Sequence, residues 1–282
     1  MLRNNMMSSK NTFKPVLLSG ADGASAKVYP YGAHVTNCCT ADGIERLFLS
    51  ERAEFKHGMA VRGGVPIIFP QFADLGSLAK HGLARTACWQ QVSAAECGLS
   101  SVTFCWQEDR LGQEIWPHSF AADYQVELGI DSLKLILSIY NAGKQSFSFT
   151  AALHTYLRVD EIAHVSVSGL QGMRYRDSAL GGTAEVDSDS ALVITGELDR
   201  IYFGTTKPIQ VMQVNQRTVE CIADGFKDTV IWNPGPDKSA ALPDMQSEGF
   251  RHMLCVEAAM IESPVKLSPG MTWTGSQLLQ LR

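Results

Sequence analysis

The chain has 282 residues, 45% hydrophobic and 19% charged, a balance that fits a folded core and excludes a largely disordered chain. Its 24 basic and 29 acidic residues give a net charge of -5. That excludes a chain-wide nucleic-acid footprint but says nothing against a local anion pocket.

Residues 1–12 are polar, lack the apolar core of a secretory signal, and are expected to be a flexible terminus ahead of one domain over 13–282. No apolar run approaches the ~18 residues a membrane helix needs. Seven cysteines, Cys38, Cys39, Cys88, Cys97, Cys105, Cys221 and Cys255, are odd in number and include no CxxC pair. They read as reduced thiols of a cytoplasmic protein. Residues 50–57 (SERAEFKH) are expected to form a short helix capped by Ser50. Residues 58–86 are Gly- and Pro-rich and read as long loops around the apolar run VPIIFP.

From there the period is two. Strands are predicted at 102–106, 122–128, over LKLILSIY (133–140), at 146–154, 164–168, 209–214, 229–233 and 253–259, with Gly, Pro, Asn and Asp between them. Leu133, Leu135, Leu137 and Ile139 share one face, as do Phe147, Phe149, Ala151 and Leu153. Many short strands without βαβ alternation predict an all-β sandwich or barrel and disfavour a Rossmann fold.

Several residues can carry chemistry. His154 ends the 146–154 strand and shares the more polar face with Ser148, Thr150 and Ala152. It is a general acid–base candidate, the alternative being a surface or satisfied histidine. Glu257 interrupts the apolar strand MLCVEAA. Burying a carboxylate is costly, so it is either a base whose pKa desolvation raises or a structural carboxylate paired with an arginine. Arg62 and Arg85 flank the glycine-rich loops, with Lys80 and His81 close by. Arginine forks suit phosphate, but either arginine taken alone reads first as a surface residue. Asp199 can accept from a sugar hydroxyl or serve as a turn residue. The seven histidines show no metal-ligand spacing, so no metal is expected.

The motifs RGGVPIIFPQF, HGLAR, ALHTYLRV, VSVSGL, VIWNPGP and LCVEAA follow one another in that order, with WPHSF between the second and third. In this the chain, from about residue 15 to its end, resembles the hexose-6-phosphate mutarotases of the aldose 1-epimerase superfamily, their bacterial branch in particular. The resemblance implies a galactose-mutarotase-like β-supersandwich with a substrate cleft on one sheet. It also implies His154 as catalytic acid, Glu257 as base, and Arg62, Arg85, His81 and Asp199 on the substrate. Some relatives carry Gln before HGLAR where this chain has Lys80, a residue that can still reach phosphate. The implied reaction is exchange of α and β anomers of a hexose 6-phosphate by a monomer without cofactor, metal, nucleic acid or membrane. A non-catalytic sugar-phosphate binder and an epimerase of unphosphorylated sugars are the alternatives. A glycosidase would need two carboxylates flanking its bond.

Overall fold

The computed structural model describes residues 12–92, 99–107 and 114–282. Residues 1–11 and Cys97 lie outside the described residues. The all-β reading holds, and each predicted strand has its counterpart. The longest are Phe120–Gly129, Ser132–Asn141, Met253–Leu267 and Thr272–Leu281.

Two large antiparallel sheets face each other. The first runs, strand by strand, Leu192–Val193, Val165–Ser168, Ile209–Gln213, Val219–Asp224, Thr272–Leu281, Ser132–Asn141, Phe120–Gly129, Ser101–Gln107 and Gln90–Gln91. The second runs Thr183–Val186, Arg174–Asp177, Leu198–Tyr202, Asp228–Asn233, Met253–Leu267, Phe147–Leu153 and Ile67–Ile68, with Tyr156–Arg158 also on Met253–Leu267. A smaller sheet joins Val16–Ser19, Ser25–Tyr29 and His34–Cys39.

Strand alternation decides what lies between the sheets. Leu133, Leu135, Leu137 and Ile139 from the first sheet are fully buried in one cluster with Phe147, Phe149, Ala151, Leu153, Leu254, Val256 and Ala258 from the second. Burying each large aliphatic or aromatic side chain stabilises by roughly 1.5–3 kcal/mol. A one-residue slip in any of these strands would turn its apolar set outward, so the register is strongly fixed.

The second sheet is buried on its other face as well. Ile68, Ala152, Ile201, Val230, Ala259 and Ile261 form a separate apolar cluster there, with Phe72 over them. This is why MLCVEAAMI, residues 253–261, is buried throughout rather than alternately. The face that the sequence marked as the more polar side of 146–154 is thus a covered floor, with Ala152 fully buried and Thr150 nearly so.

Residues 50–57 form no helix. Ser50 does cap, but only a turn: its Oγ accepts from the Arg52 N–H at 3.1 Å, and its carbonyl accepts from Ala53 at 3.1 Å. The hydroxyl also donates to Gln246 across the molecule, and Phe55 packs on Tyr29 with ring centroids 4.7 Å apart. Those tertiary contacts outweigh the helical tendency of the eight-residue stretch SERAEFKH. The loop reading of 58–86 holds, with Ile67–Ile68 and a 3-10 turn at Ala84–Thr86 inside it. Among the described residues no helix is long and apolar enough to cross a membrane.

Candidate active site

Leu153 pairs with Ala258 and Tyr156 with Cys255, so the two residues between, His154 and Thr155, fall opposite Glu257 and Val256. The His154 N–H donates to the Pro66 carbonyl at 3.0 Å, and the Val256 N–H to Thr155 at 3.0 Å. These bonds hold the junction in place. It delivers both side chains to the covered face, where they line a cleft of about 800 Å³.

Nδ1 of His154 lies 3.3 Å from Oε1 of Glu257. Both side chains are almost fully buried, yet His154 Nδ1 and Glu257 Oε2 have no aligned hydrogen-bond partner. Among the described residues no arginine is ion-paired with Glu257, whose one basic partner within ion-pair range is His154, which removes the structural ion-pair reading. His154 is 8% exposed, which removes the surface-histidine reading. Tyr156 stacks on the imidazole at 4.7 Å with 9° between ring planes, and Trp232 meets it edge-on at 5.9 Å.

Burial, and then the charge of Asp199, pushes the Glu257 carboxyl well above the usual carboxylate range. Burial pushes His154 well below the usual imidazole value, helped by His81, Arg62 and Arg85. Both shifts act towards the uncharged forms, neutral histidine and protonated glutamate.

The seven sequence-predicted site residues, Arg62, Lys80, His81, Arg85, His154, Asp199 and Glu257, all line this cleft. His81 adopts a φ of +68°, rare for a residue with a side chain. It is held there by Ala73, which accepts from the His81 N–H at 3.0 Å and donates its own N–H to His81 Nδ1 at 3.2 Å. Nδ1 is therefore the acceptor, which leaves Nε2 as the N–H donor. Burial with Arg85, Lys80 and Arg62 nearby pushes the His81 pKa down to about 3, so it stays neutral. Gly82 follows at φ +70°, and a Cβ there would meet the Phe69 carbonyl at 2.4 Å.

The arginines are not free forks. Arg62 is ion-paired with Asp244 at 3.1 Å and donates to the Tyr156 hydroxyl at 3.1 Å. Arg85 donates to the Lys80 carbonyl at 2.9 Å. Asp199 lies on the strand Leu198–Tyr202, not in a turn. Burial raises its pKa, and among the described residues no donor occupies its carboxylate.

Among the residues that line or support the cleft without having been singled out from sequence are Arg176, Trp232 and Tyr156. The last two sit inside the motifs VIWNPGP and HTY. Arg176 left no signal beyond its alternation with Tyr175 and Asp177. Spacing also missed that His154, Cys255 and Glu257 bring three ligand-type atoms within 4.8 Å of one another. Nitrogen, sulfur and oxygen together suit a zinc-like ion, although burial raises the Cys255 thiol well above its usual value. The proton chemistry below does not call on an ion. Cys38 is buried with its pKa pushed up to about 12, which makes it a packing residue.

A family model described as aldose 1-epimerase matches residues 15–280. The chain belongs to the aldose 1-epimerase family. It is an isomerase that interconverts sugar anomers. A Cenchrus ciliaris protein named "Putative glucose-6-phosphate 1-epimerase" is 34% identical, over 96% of this chain and 85% of the relative. An Escherichia coli K12 protein of the same name is 32% identical, over 84% and 80%. A Salmonella typhimurium crystal structure described as a "putative mutarotase" superposes with a TM-score of 0.85 at 29% identity, over 92% of this chain and 87% of that one. A galactose mutarotase-like protein from Lactobacillus casei shares the fold at TM-score 0.75 and 14% identity, over 95% and 100%.

Proposed function

We propose that the substrate is glucose 6-phosphate or a related hexose 6-phosphate, and that His154 and Glu257 exchange its anomers. The observation that carries this reading is the buried pair at 3.3 Å, facing a cleft that also holds Arg62, Lys80 and Arg85. The names of the Cenchrus and E. coli relatives support the phosphorylated sugar.

Opening a pyranose removes a proton from the anomeric hydroxyl and adds one to the ring oxygen. Glu257 as carboxylate takes the first, and His154 as imidazolium gives the second. The C1–O5 bond breaks and C1 becomes an aldehyde. Rotation about C1–C2 presents its other face, and closure returns both protons. The pair passes from charged to neutral on opening, the direction that burial favours. A phosphate dianion arriving beside His154 would raise the proton affinity of the imidazole and ready it as the acid.

His81, a fixed neutral donor with its ring 5.7 Å from that of His154, suits an oxygen of the sugar. Asp199 suits a sugar hydroxyl as acceptor. In this reading residues 13–282 act as one domain of a cytoplasmic monomer that needs no cofactor.

NMR exchange spectroscopy on the anomers of glucose 6-phosphate tests the reading. Exchange cross-peaks should strengthen in proportion to protein concentration, and more for glucose 6-phosphate than for free glucose. Unchanged exchange would turn the reading to a sugar-phosphate binder. A preference for free glucose would turn it to the unphosphorylated class.

A further inference from the structure

The strand registers place a row of residues straight across the cleft floor. Arg176 pairs with Ile201, Ile201 with Val230, and Val230 with Glu257, beyond which lies His154. All five line the cleft. Three inter-strand spacings separate the backbone of Arg176 from that of Glu257, about 14 Å. Ile201 and Val230 between them give an apolar bed on which one face of a pyranose can lie.

Arg176 differs from the arginines around it. Arg174, two residues earlier on the same face, is ion-paired with Glu262 at 2.5 Å and covers the Phe203 ring. Arg200 is held by Asp177 at 3.0 Å. Arg176 has no ion pair or side-chain hydrogen bond among the described residues, although it is half-buried in the cleft wall. Its backbone is firmly placed, because the next residue, Asp177, is buried and accepts from the N–H groups of Ala179 and Leu180 as well as from Arg200. A Cβ added at Gly182, whose φ is +80°, would come within 3.9 Å of the Arg176 Cδ.

The chemistry orients the sugar along this row. The ring oxygen must face His154 and the anomeric hydroxyl Glu257. C5 and its C6 phosphate follow the ring oxygen and so return to the His154 side, where Arg62, which donates to the hydroxyl of Tyr156, the ring stacked on His154, and Arg85 line the cleft. C2 and C3 lead the other way, over Val230 and Ile201. We propose that Arg176, with Asp199, reads the C2–C3 hydroxyl edge of the sugar: Asp199 accepts from a hydroxyl and the guanidinium donates to a hydroxyl oxygen. This deepens, and rests on, the hexose 6-phosphate reading. It makes Arg176 a specificity-determining residue for the sugar rather than for its phosphate.

The test compares wild type with Arg176→Ala on glucose 6-phosphate, free glucose, and the 2-deoxy and 3-deoxy glucose 6-phosphates, with thermal unfolding as a control for folding. Arg176→Lys, which retains the charge without the fork, replaces the alanine variant if that fails to fold. A hydrogen bond from a charged group predicts a loss of about ten- to a hundredfold in kcat/KM on glucose 6-phosphate. The loss should be similar on free glucose and should shrink to about threefold or less on at least one deoxy sugar. Undiminished activity on glucose 6-phosphate would overturn the proposal, as would equal losses on every sugar. A loss confined to phosphorylated sugars would make Arg176 a phosphate ligand and overturn it too. If wild type binds glucose 6-phosphate without exchanging its anomers, the catalytic reading fails separately. The same comparison made on Kd by calorimetry then decides the role of Arg176, and absence of binding to wild type overturns both.

Discussion

His154 Nδ1 and Glu257 Oε1 stand 3.3 Å apart on adjacent chain segments of one sheet, both buried and both pushed towards their neutral forms. Among the described residues, the other buried acidic side chains, Asp177, Asp187 and Asp228, are committed. Asp228 accepts from the N–H groups of Ile261 and Glu262 at 2.7 and 2.9 Å, and Asp177 and Asp187 face Arg200. Glu257 keeps one oxygen without a partner. Leaving a buried acceptor unsatisfied costs about 1–3 kcal/mol; Asp22 and Asp244 each leave one buried oxygen unpartnered as well, and what sets Glu257 apart is the imidazole 3.3 Å away.

Glu257→Gln retains size and removes the base. Anomer exchange should fall by about 10²–10⁴, the usual worth of general acid–base catalysis, with the circular dichroism spectrum unchanged. Near wild-type exchange would make Glu257 a structural residue.

His154→Asn keeps hydrogen-bonding capacity without a proton to shuttle at neutral pH. The fall should appear in kcat, with KM changed little. A raised KM at constant kcat would place His154 in binding instead.

The Glu257 substitution also carries a stability signature. The folded-state pKa of Glu257 is raised above its ordinary value of 4.5, so the native state holds a proton that the unfolded chain releases. Its contribution is fully present below about pH 4.5 and is lost as pH rises towards the folded value. Gln escapes that loss. Glu257→Gln should therefore melt higher than wild type at pH 8. The gain should vanish near pH 4.5. A variant less stable than wild type at pH 8 would show that the carboxylate is well compensated.

Much of this site was legible in the chain. Glu257 announced itself by breaking the apolar pattern of MLCVEAA, and His154 by following a strongly alternating strand. What alternation could not give was the partner. Facing residues 103 positions apart become neighbours only through the Leu153–Ala258 register, which no local pattern encodes. The same holds for Arg176, whose place in the catalytic row depends on three successive strand pairings. The helix expected at 50–57 failed for a related reason: Gln246 and Tyr29, both distant in sequence, hold that segment in turns.

Arg62→Ala and Arg85→Ala separate phosphate recognition from ring recognition. Each should lower kcat/KM on glucose 6-phosphate by about ten- to a hundredfold, and by at least tenfold more than on free glucose. Arg85→Ala is the cleaner variant, because Arg62 also neutralises Asp244. Equal losses on both sugars would assign these arginines to the ring or to loop structure.

The central claim is that His154 and Glu257 work as one proton-transfer unit, and the double variant His154→Asn/Glu257→Gln measures it. Groups that act together are strongly non-additive, since removing either already abolishes the concerted transfer. Exchange spectroscopy on glucose 6-phosphate should give the double variant a rate within about threefold of the slower single variant. A rate reduced by the product of the two single losses would contradict the account and make the two side chains independent contributors.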